Sequence, residues 1–121
     1  MPSLGYSTWR PVSLKELMKV RPRVTAVFTG AGDLTTVALA ATREMQLDVP
    51  SDLALAAFDD YPYYAYLSPP LTAVRNPTPE LGLAALDMLL ILMEGGEPEN
   101  RSLILPAELV IRSSCGSCTT P

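Results

Sequence analysis

The chain has 121 residues, a length typical of one domain. Hydrophobic residues make up 48% of it and the formal net charge is −4, a composition that excludes a generally disordered chain. The acidic balance also argues against nucleic-acid binding by this chain itself, because phosphate contacts require a basic surface.

The N-terminal part of the chain is locally basic. Residues 1–10 show no hydrophobic periodicity, and we expect them to form a connection. Residues 11–20 are predicted to form a helix, with Leu14, Leu17 and Met18 on its apolar face. We interpret the basic residues of this stretch as the solvated face of that helix.

A strand and a helix are predicted next, with a glycine-containing turn between them. Residues 23–29 read as a buried strand and residues 34–45 as a helix, with Gly30-Ala-Gly-Asp33 between them. The turn lacks the full glycine pattern and the lysine of a phosphate-binding loop. Two interpretations of Asp33 stay open: it caps the helix, or it also faces a ligand cleft.

Two adjacent carboxylates follow the next predicted strand. Residues 53–58 form an apolar run, and Asp59 and Asp60 come directly after it. Alternating helices and strands predict an α/β fold with a parallel sheet flanked by helices. Ligands of such sheets bind at the carboxyl ends of the strands. We favour hydrogen bonding to a ligand over a loop-structural or catalytic role, because the chain has no histidine and no visible nucleophile–base pair.

Tyrosines crowd the following loop, at positions 61, 63, 64 and 66. Tyrosine is enriched at protein interfaces, since its ring buries a large area while its hydroxyl stays hydrated. We therefore take Tyr64, Tyr66 and Leu67 as dimer-interface candidates. Some of the tyrosines could equally line a ligand cleft.

The C-terminal third contains an unusually apolar predicted helix. A short strand at residues 71–74 precedes this helix, predicted for residues 81–94 and ended by Gly95 and Gly96. Because the helix is apolar on nearly every side, it must be covered by more than one small sheet, and it is too short to span a membrane. Two β-rich runs, residues 103–105 and 108–111, follow.

The two cysteines, Cys115 and Cys118, stand near the C-terminal end. Only three residues follow Cys118, so we expect no helix there that would lower a thiol pKa, and a zinc site needs about four ligands. We expect no metal and no cofactor. The sequence shows no signal peptide and no run of about 18 apolar residues, so we expect a soluble cytoplasmic protein without membrane contact.

Five motifs in order resemble the C-terminal part of LacI/GalR-family transcriptional regulators. They are T-A-V-F-T-G-A-G-D (25–33), M-Q-L-D-V-P-S-D-L-A-L-A-A-F-D-D (45–60), S-P-P-L-T-A-V-R-N (68–76), E-L-G (80–82) and L-P-A-E-L-V-I-R-S-S (105–114). The resemblance implies part of a two-lobed core like that of periplasmic binding proteins. It also implies a small-molecule effector between the lobes, a homodimer, and operator binding through a helix-turn-helix that this chain lacks.

The resemblance also implies effector-binding residues. Asp59 matches the acidic residue that hydrogen-bonds effector hydroxyls or ring nitrogens. Asp33 matches the aspartate of an N-D-x-x-A turn, in which Gly32 replaces the frequent asparagine. Asn76 falls where the chain crosses between the lobes and could touch the ligand.

By the same resemblance, residues 11–76 and 97–114 belong to a C-terminal effector-binding lobe. Residues 77–96 would be a helix of the N-terminal lobe, whose other elements are missing, and residues 115–121 a tail. The expected function is effector sensing and dimerisation, with a sugar-like or nucleobase-like ligand and no enzymatic activity. The alternative is the solute-binding component of a sugar ABC transporter. The sequence leaves open whether such a regulator represses or activates transcription.

Overall fold

The computed structural model describes residues 12–117. Residues 1–11 and 118–121, with the predicted N-terminal connection and Cys118, lie outside the described residues. The helices and strands are α1 (Val12–Leu17), β1 (Ala26–Thr29), α2 (Gly32–Glu44), β2 (Ala54–Phe58), β3 (Thr72–Arg75), α3 (Thr78–Met93) and β4 (Glu108–Val110). Two 3₁₀ turns, Pro62–Tyr66 and Ser113–Cys115, follow β2 and β4.

The strands form one four-stranded sheet in the order β1-β2-β3-β4. β1, β2 and β3 run parallel, and β4 is antiparallel to β3. The predicted α/β class with a parallel sheet and flanking helices is therefore confirmed. Since β2 and β3 are parallel neighbours, Asp59 and Asn76, which follow them, emerge at the same edge of the sheet.

Most predicted elements are present, with shifted ends. The prediction of a buried strand at residues 23–29 is wrong: β1 lies at an edge of the described sheet, and of its four residues only Thr29 is buried. α2 and α3 begin at Gly32 and Thr78, two and three residues earlier than the sequence predicts. The β-rich run at residues 103–105 is not a strand; it precedes Pro106, and its side chains at positions 103 and 104 are exposed. A proline cannot donate to a sheet ladder, so regular pairing begins only at β4.

The core lies on the central strands. Its buried members include Leu53, Leu55, Ala57, Leu71 and Ala73, joined by Leu14, Ala41 and Tyr64. β2 alternates half-buried and buried residues before Phe58, as expected of a central strand with one more deeply packed face. This packing fixes the strand whose carboxyl end carries the paired carboxylates.

The apolar helix α3 has no buried residue among its sixteen. Eight of its large apolar side chains are exposed: Leu81, Leu83, Leu86, Leu89, Leu90, Ile91, Leu92 and Met93. It ends as predicted, because Gly95 takes a left-handed φ of 79° and donates its N–H to Leu92 O. None of the helices described in residues 12–117 combines the length and apolarity needed to cross a bilayer.

Candidate functional site

The candidate site begins with Asp59, directly after β2. Its φ is +68°, a left-handed conformation that aspartate tolerates better than most residues with a side chain. In this conformation the carboxylate Oδ1 accepts a hydrogen bond from the Asn76 side-chain amide, at 2.7 Å. The two residues are thus brought together across the carboxyl ends of the neighbouring parallel strands β2 and β3, the edge at which ligands of such sheets bind.

An open cavity of about 400 Å³ adjoins this pair. It is lined by Asp59, Asp60, Tyr61, Arg75, Asn76 and Thr78. Within the described residues, the second oxygen of Asp59 has no hydrogen-bond partner and no cation forms an ion pair with its carboxylate. A hydroxyl or N–H donor of a ligand can therefore hydrogen-bond to it.

Asp60 has a different environment. Its side chain is 3% exposed and lies between two guanidinium groups. Arg112 donates to both of its oxygens, at 2.7 and 3.0 Å, and Arg75 donates to Oδ2 at 2.6 Å. The hydrogen bonds from Arg112, followed by those from Arg75, hold the pKa of Asp60 below its ordinary value of 3.8 against the opposing effect of burial. Asp60 therefore links the end of β2 to Arg75 in β3 and to Arg112 after β4. We call this set of ion pairs the charged tie.

Asp33 does not join this cluster. It lies exposed in the first turn of α2, whose N-cap is Ala31, and the cap makes no side-chain hydrogen bond. The capping interpretation is therefore wrong. Asp33 is also not among the residues that line the cavity beside Asp59.

The three dimer-interface candidates differ in exposure. Tyr64 is fully buried in the core, so it has no surface to offer a second chain. Its hydroxyl has no hydrogen-bond partner among the described residues, and burial raises its pKa to about 12. Tyr66 is 88% exposed and Leu67 is half-buried. The 3₁₀ turn is consistent with the split, because with three residues per turn Tyr64 and Tyr66 point in different directions.

A larger cavity, of about 550 Å³, opens elsewhere. It is lined by residues of α2, of the loop 47–49 and of the segment 67–71, together with Leu55 and Ser114. None of the three predicted effector residues borders it. We take the smaller cavity as the candidate site because it contains the unpaired carboxylate and the amide.

Tyr61 borders the cavity, in line with the alternative that some of the tyrosines line a cleft. Sequence reasoning did not find Arg75 or Thr78 as cavity residues, nor Arg112 as a partner of Asp60. Arg75 and Thr78 lie within two positions of Asn76, after the predicted strand at residues 71–74, so a strand-end argument applied to that strand could have found them. The role of Arg112 depends on β4 lying beside β3. No local pattern encodes that pairing.

Of the two cysteines, only Cys115 is among the described residues. It lies in the 3₁₀ turn Ser113–Cys115 with its Sγ 3.3 Å from Ser117 Oγ. This hydrogen bond is the main cause that lowers the pKa of the thiol.

Comparisons with known proteins agree with this architecture. A family model described as a periplasmic binding protein-like domain matches residues 3–115. The HTH-type transcriptional regulator MalR of Streptomyces coelicolor is 39% identical over 93 residues, which cover 77% of this chain and 27% of MalR.

Two solved structures extend the comparison. A regulatory protein of the LacI family from Chloroflexus aggregans superposes with a TM-score of 0.73 at 38% identity, covering 88% of this chain and 38% of that one. The transcriptional regulator CelR, in a complex with cellobiose, gives a TM-score of 0.76 at 30% identity, covering 86% of this chain and 32% of CelR. The chain spans about a third of the length of these relatives.

Proposed function

The chain belongs to the periplasmic binding protein-like family and is of the LacI/GalR regulator type, and from this premise we propose that it recognises a small-molecule effector through Asp59 and Asn76. The recognised ligand carries hydroxyl or ring N–H donors, as a sugar or a nucleobase does. The relatives are longer than this chain. For a protein of their length, the same proposal includes binding of operator DNA and control of that binding by the effector.

The observation that carries this proposal is the Asp59–Asn76 pair beside an open cavity. An ionised carboxylate accepts hydrogen bonds on both oxygens, whereas the Asn76 amide offers both an acceptor and donors. One Asp59 oxygen is already bound to Asn76, which fixes the direction of the other. This arrangement is suited to a ligand with adjacent donors.

A regulator is favoured over the solute-binding component of a transporter. The relatives reported above are transcriptional regulators, and CelR was solved with a disaccharide. The cavity of this chain also offers hydrogen-bonding groups without a nucleophile–base pair among the described residues, which supports recognition rather than catalysis.

We also propose dimerisation, which fewer observations support. Tyr66 and Leu67 remain as interface candidates, because Tyr64 is buried in its own chain. An exposed tyrosine ring is well suited to a protein interface. Asp33 stays a proposed effector residue on the resemblance alone, because it is not among the residues that line this cavity.

The effector site is tested by replacing Asp59 in the full-length natural protein. Cellobiose, D-ribose and adenosine serve as probes, and binding is measured by isothermal titration calorimetry. Asp59→Ala should weaken binding of the recognised probe by about 1–3 kcal/mol, the typical cost of leaving a buried hydrogen-bond partner unsatisfied. Glu99→Ala, at an exposed position of the loop after α3 that does not border the cavity, is the control and should bind like the unsubstituted protein. Unchanged affinity in Asp59→Ala would remove Asp59 from the site.

A further inference from the structure

Gly32 and Tyr61, a residue that lines the candidate cavity, are in unusually close contact. A Cβ added to Gly32 would lie 2.6 Å from Tyr61 Cε2, 2.9 Å from its hydroxyl oxygen and 3.1 Å from Cζ. These distances are shorter than van der Waals contact, so any larger residue at position 32 would displace the ring. The absence of a side chain at Gly32 is therefore what lets Tyr61 lie against the first turn of α2.

The Tyr61 ring also contacts two other tyrosines. It stacks on Tyr63 with ring centroids 5.8 Å apart and meets the buried Tyr64 edge-on at 5.5 Å. Tyr64 is fixed in the core, so this cluster anchors the ring to the fold. Tyr61 nevertheless remains 43% exposed and borders the cavity beside Asp59.

We infer that Tyr61 is a specificity-determining wall of the effector site, and that Gly32 creates the space it occupies. This inference rests on the proposed function of Asp59. The wall offers an aromatic surface next to an acceptor of hydrogen bonds. It selects a ring-shaped ligand whose flat face lies on the phenol while its edge donates to Asp59.

A sugar ring and a nucleobase share this chemistry. A sugar ring presents C–H groups to the aromatic face and hydroxyls to the carboxylate. A nucleobase presents its π face and its N–H groups. An acyclic polyol has the hydroxyls without the flat face, so it gains little from the wall. D-sorbitol is therefore the negative probe, and cellobiose and adenosine distinguish the two ring types.

The test uses calorimetric titration of the full-length natural protein with cellobiose, adenosine and D-sorbitol. We expect one ring probe to bind and Tyr61→Ala to weaken its binding by about 3- to 10-fold, the equivalent of one aromatic contact. Tyr61→Phe, which keeps the ring, should bind within about twofold of the unsubstituted protein. This rescue separates ring stacking from a hydrogen bond of the phenol hydroxyl.

Gly32→Ala provides an independent arm that leaves Tyr61 in place. It should push the ring into the cavity and weaken binding of the same probe. Gly30→Ala is the matched control, since nothing lies within 4 Å of its Cβ position, and it should bind normally. The thermal unfolding midpoint of each variant shows that it is folded.

The outcomes separate the two proposals. Normal ring-probe affinity in both Tyr61→Ala and Gly32→Ala, together with a loss in Asp59→Ala, overturns the wall but leaves the site intact. Normal affinity in Asp59→Ala overturns the proposed function. Equal affinity for D-sorbitol and the ring probes, or no binding of either ring probe, also overturns the wall.

Discussion

Asp59 and Asp60 are adjacent in sequence but occupy different electrostatic environments. Asp60 is buried between Arg75 and Arg112, whereas Asp59 has only the neutral Asn76 amide as its hydrogen-bond partner. A carboxylate already paired with two guanidinium groups has little capacity left for a ligand. The two neighbours therefore have different roles: Asp60 ties elements of the fold together, and Asp59 leaves one carboxylate oxygen open to the cavity.

The charged tie at Asp60 should be visible as a pH-dependent contribution to stability. Asp60→Asn should lower the free energy of unfolding at pH 7 by about 1–3 kcal/mol, since hydrogen bonds to charged groups are lost. The pKa of Asp60 is lower in the folded chain than its ordinary value of 3.8, so the folded state favours the carboxylate. The contribution is therefore complete above pH 3.8 and disappears as the pH falls through the lower folded pKa.

Urea unfolding at pH 7 and at successively lower pH checks this expectation. The difference between the unsubstituted chain and Asp60→Asn should shrink below pH 3.8. Glu108→Gln is the control, because Glu108 also pairs with Arg75, at 3.4 Å, but both side chains are exposed and such pairs contribute little. A pH-independent difference would show that the Asp60 charge is not involved.

At the scale of elements, the 3₁₀ turn Ser113–Cys115 connects two strands through one hydroxyl. Ser114 is buried; its Oγ accepts from the Thr72 backbone N–H at 2.8 Å and donates to Leu55 O at 2.7 Å. The Thr72 hydroxyl in turn accepts from the Arg112 N–H, also at 2.8 Å. These side chains extend the hydrogen bonding beyond β4 and hold the end of the chain against β2 and β3.

Ser114→Ala should therefore destabilise the fold. It leaves the Thr72 N–H and the Leu55 carbonyl without their partner, at a cost of about 1–3 kcal/mol. Chemical denaturation with circular dichroism measures the change. Ser113→Ala, at the exposed neighbouring position of the same turn, should leave the midpoint unchanged. Equal effects of both substitutions would mean that the turn, rather than the hydroxyl, carries the stability.

At the scale of the whole molecule, α3 is the exception to a packed fold. Its eight exposed large apolar side chains form a surface of the kind that normally marks an interaction site or an aggregation hazard. The assignment of residues 77–96 to another lobe stays a prediction, and the lack of buried residues in α3 supports it.

The 121-residue chain on its own should self-associate and bind a hydrophobic dye, because water contact with this surface is unfavourable. Sedimentation at increasing concentration measures the association. Leu89→Glu, on α3, should reduce both association and dye binding, whereas Ala40→Glu, which adds the same charge to the exposed surface of α2, should not. A monomer that binds no dye would contradict the expectation.

Much of the fold was predictable, because local sequence patterns indicate its strands, helices and turns. Apolar runs of strand length, glycine turns and helical periodicity located the three parallel strands and the longer helices to within a few residues. The β-rich run at residues 103–105 is not a strand, because β-propensity does not show whether a partner strand is available. Tyr64 was predicted at a dimer interface but is buried in the core, because the enrichment of tyrosine at interfaces does not distinguish a core ring from a surface ring.

For the site, the sequence by itself pointed to Asp59 as a polar residue at the carboxyl end of a strand, whereas Asn76 was expected only from the family resemblance. That the two side chains meet depends on β2 and β3 being parallel neighbours, which only the tertiary structure decided. Only the tertiary structure decided that Asp60 is tied to Arg75 and Arg112, and that Tyr61 lies over Gly32. The physical reason is distance along the chain: Asp60 and Arg112 are 52 positions apart, and Tyr61 follows Gly32 by a whole helix and strand. Such contacts depend on strand order and loop course, which no local pattern specifies.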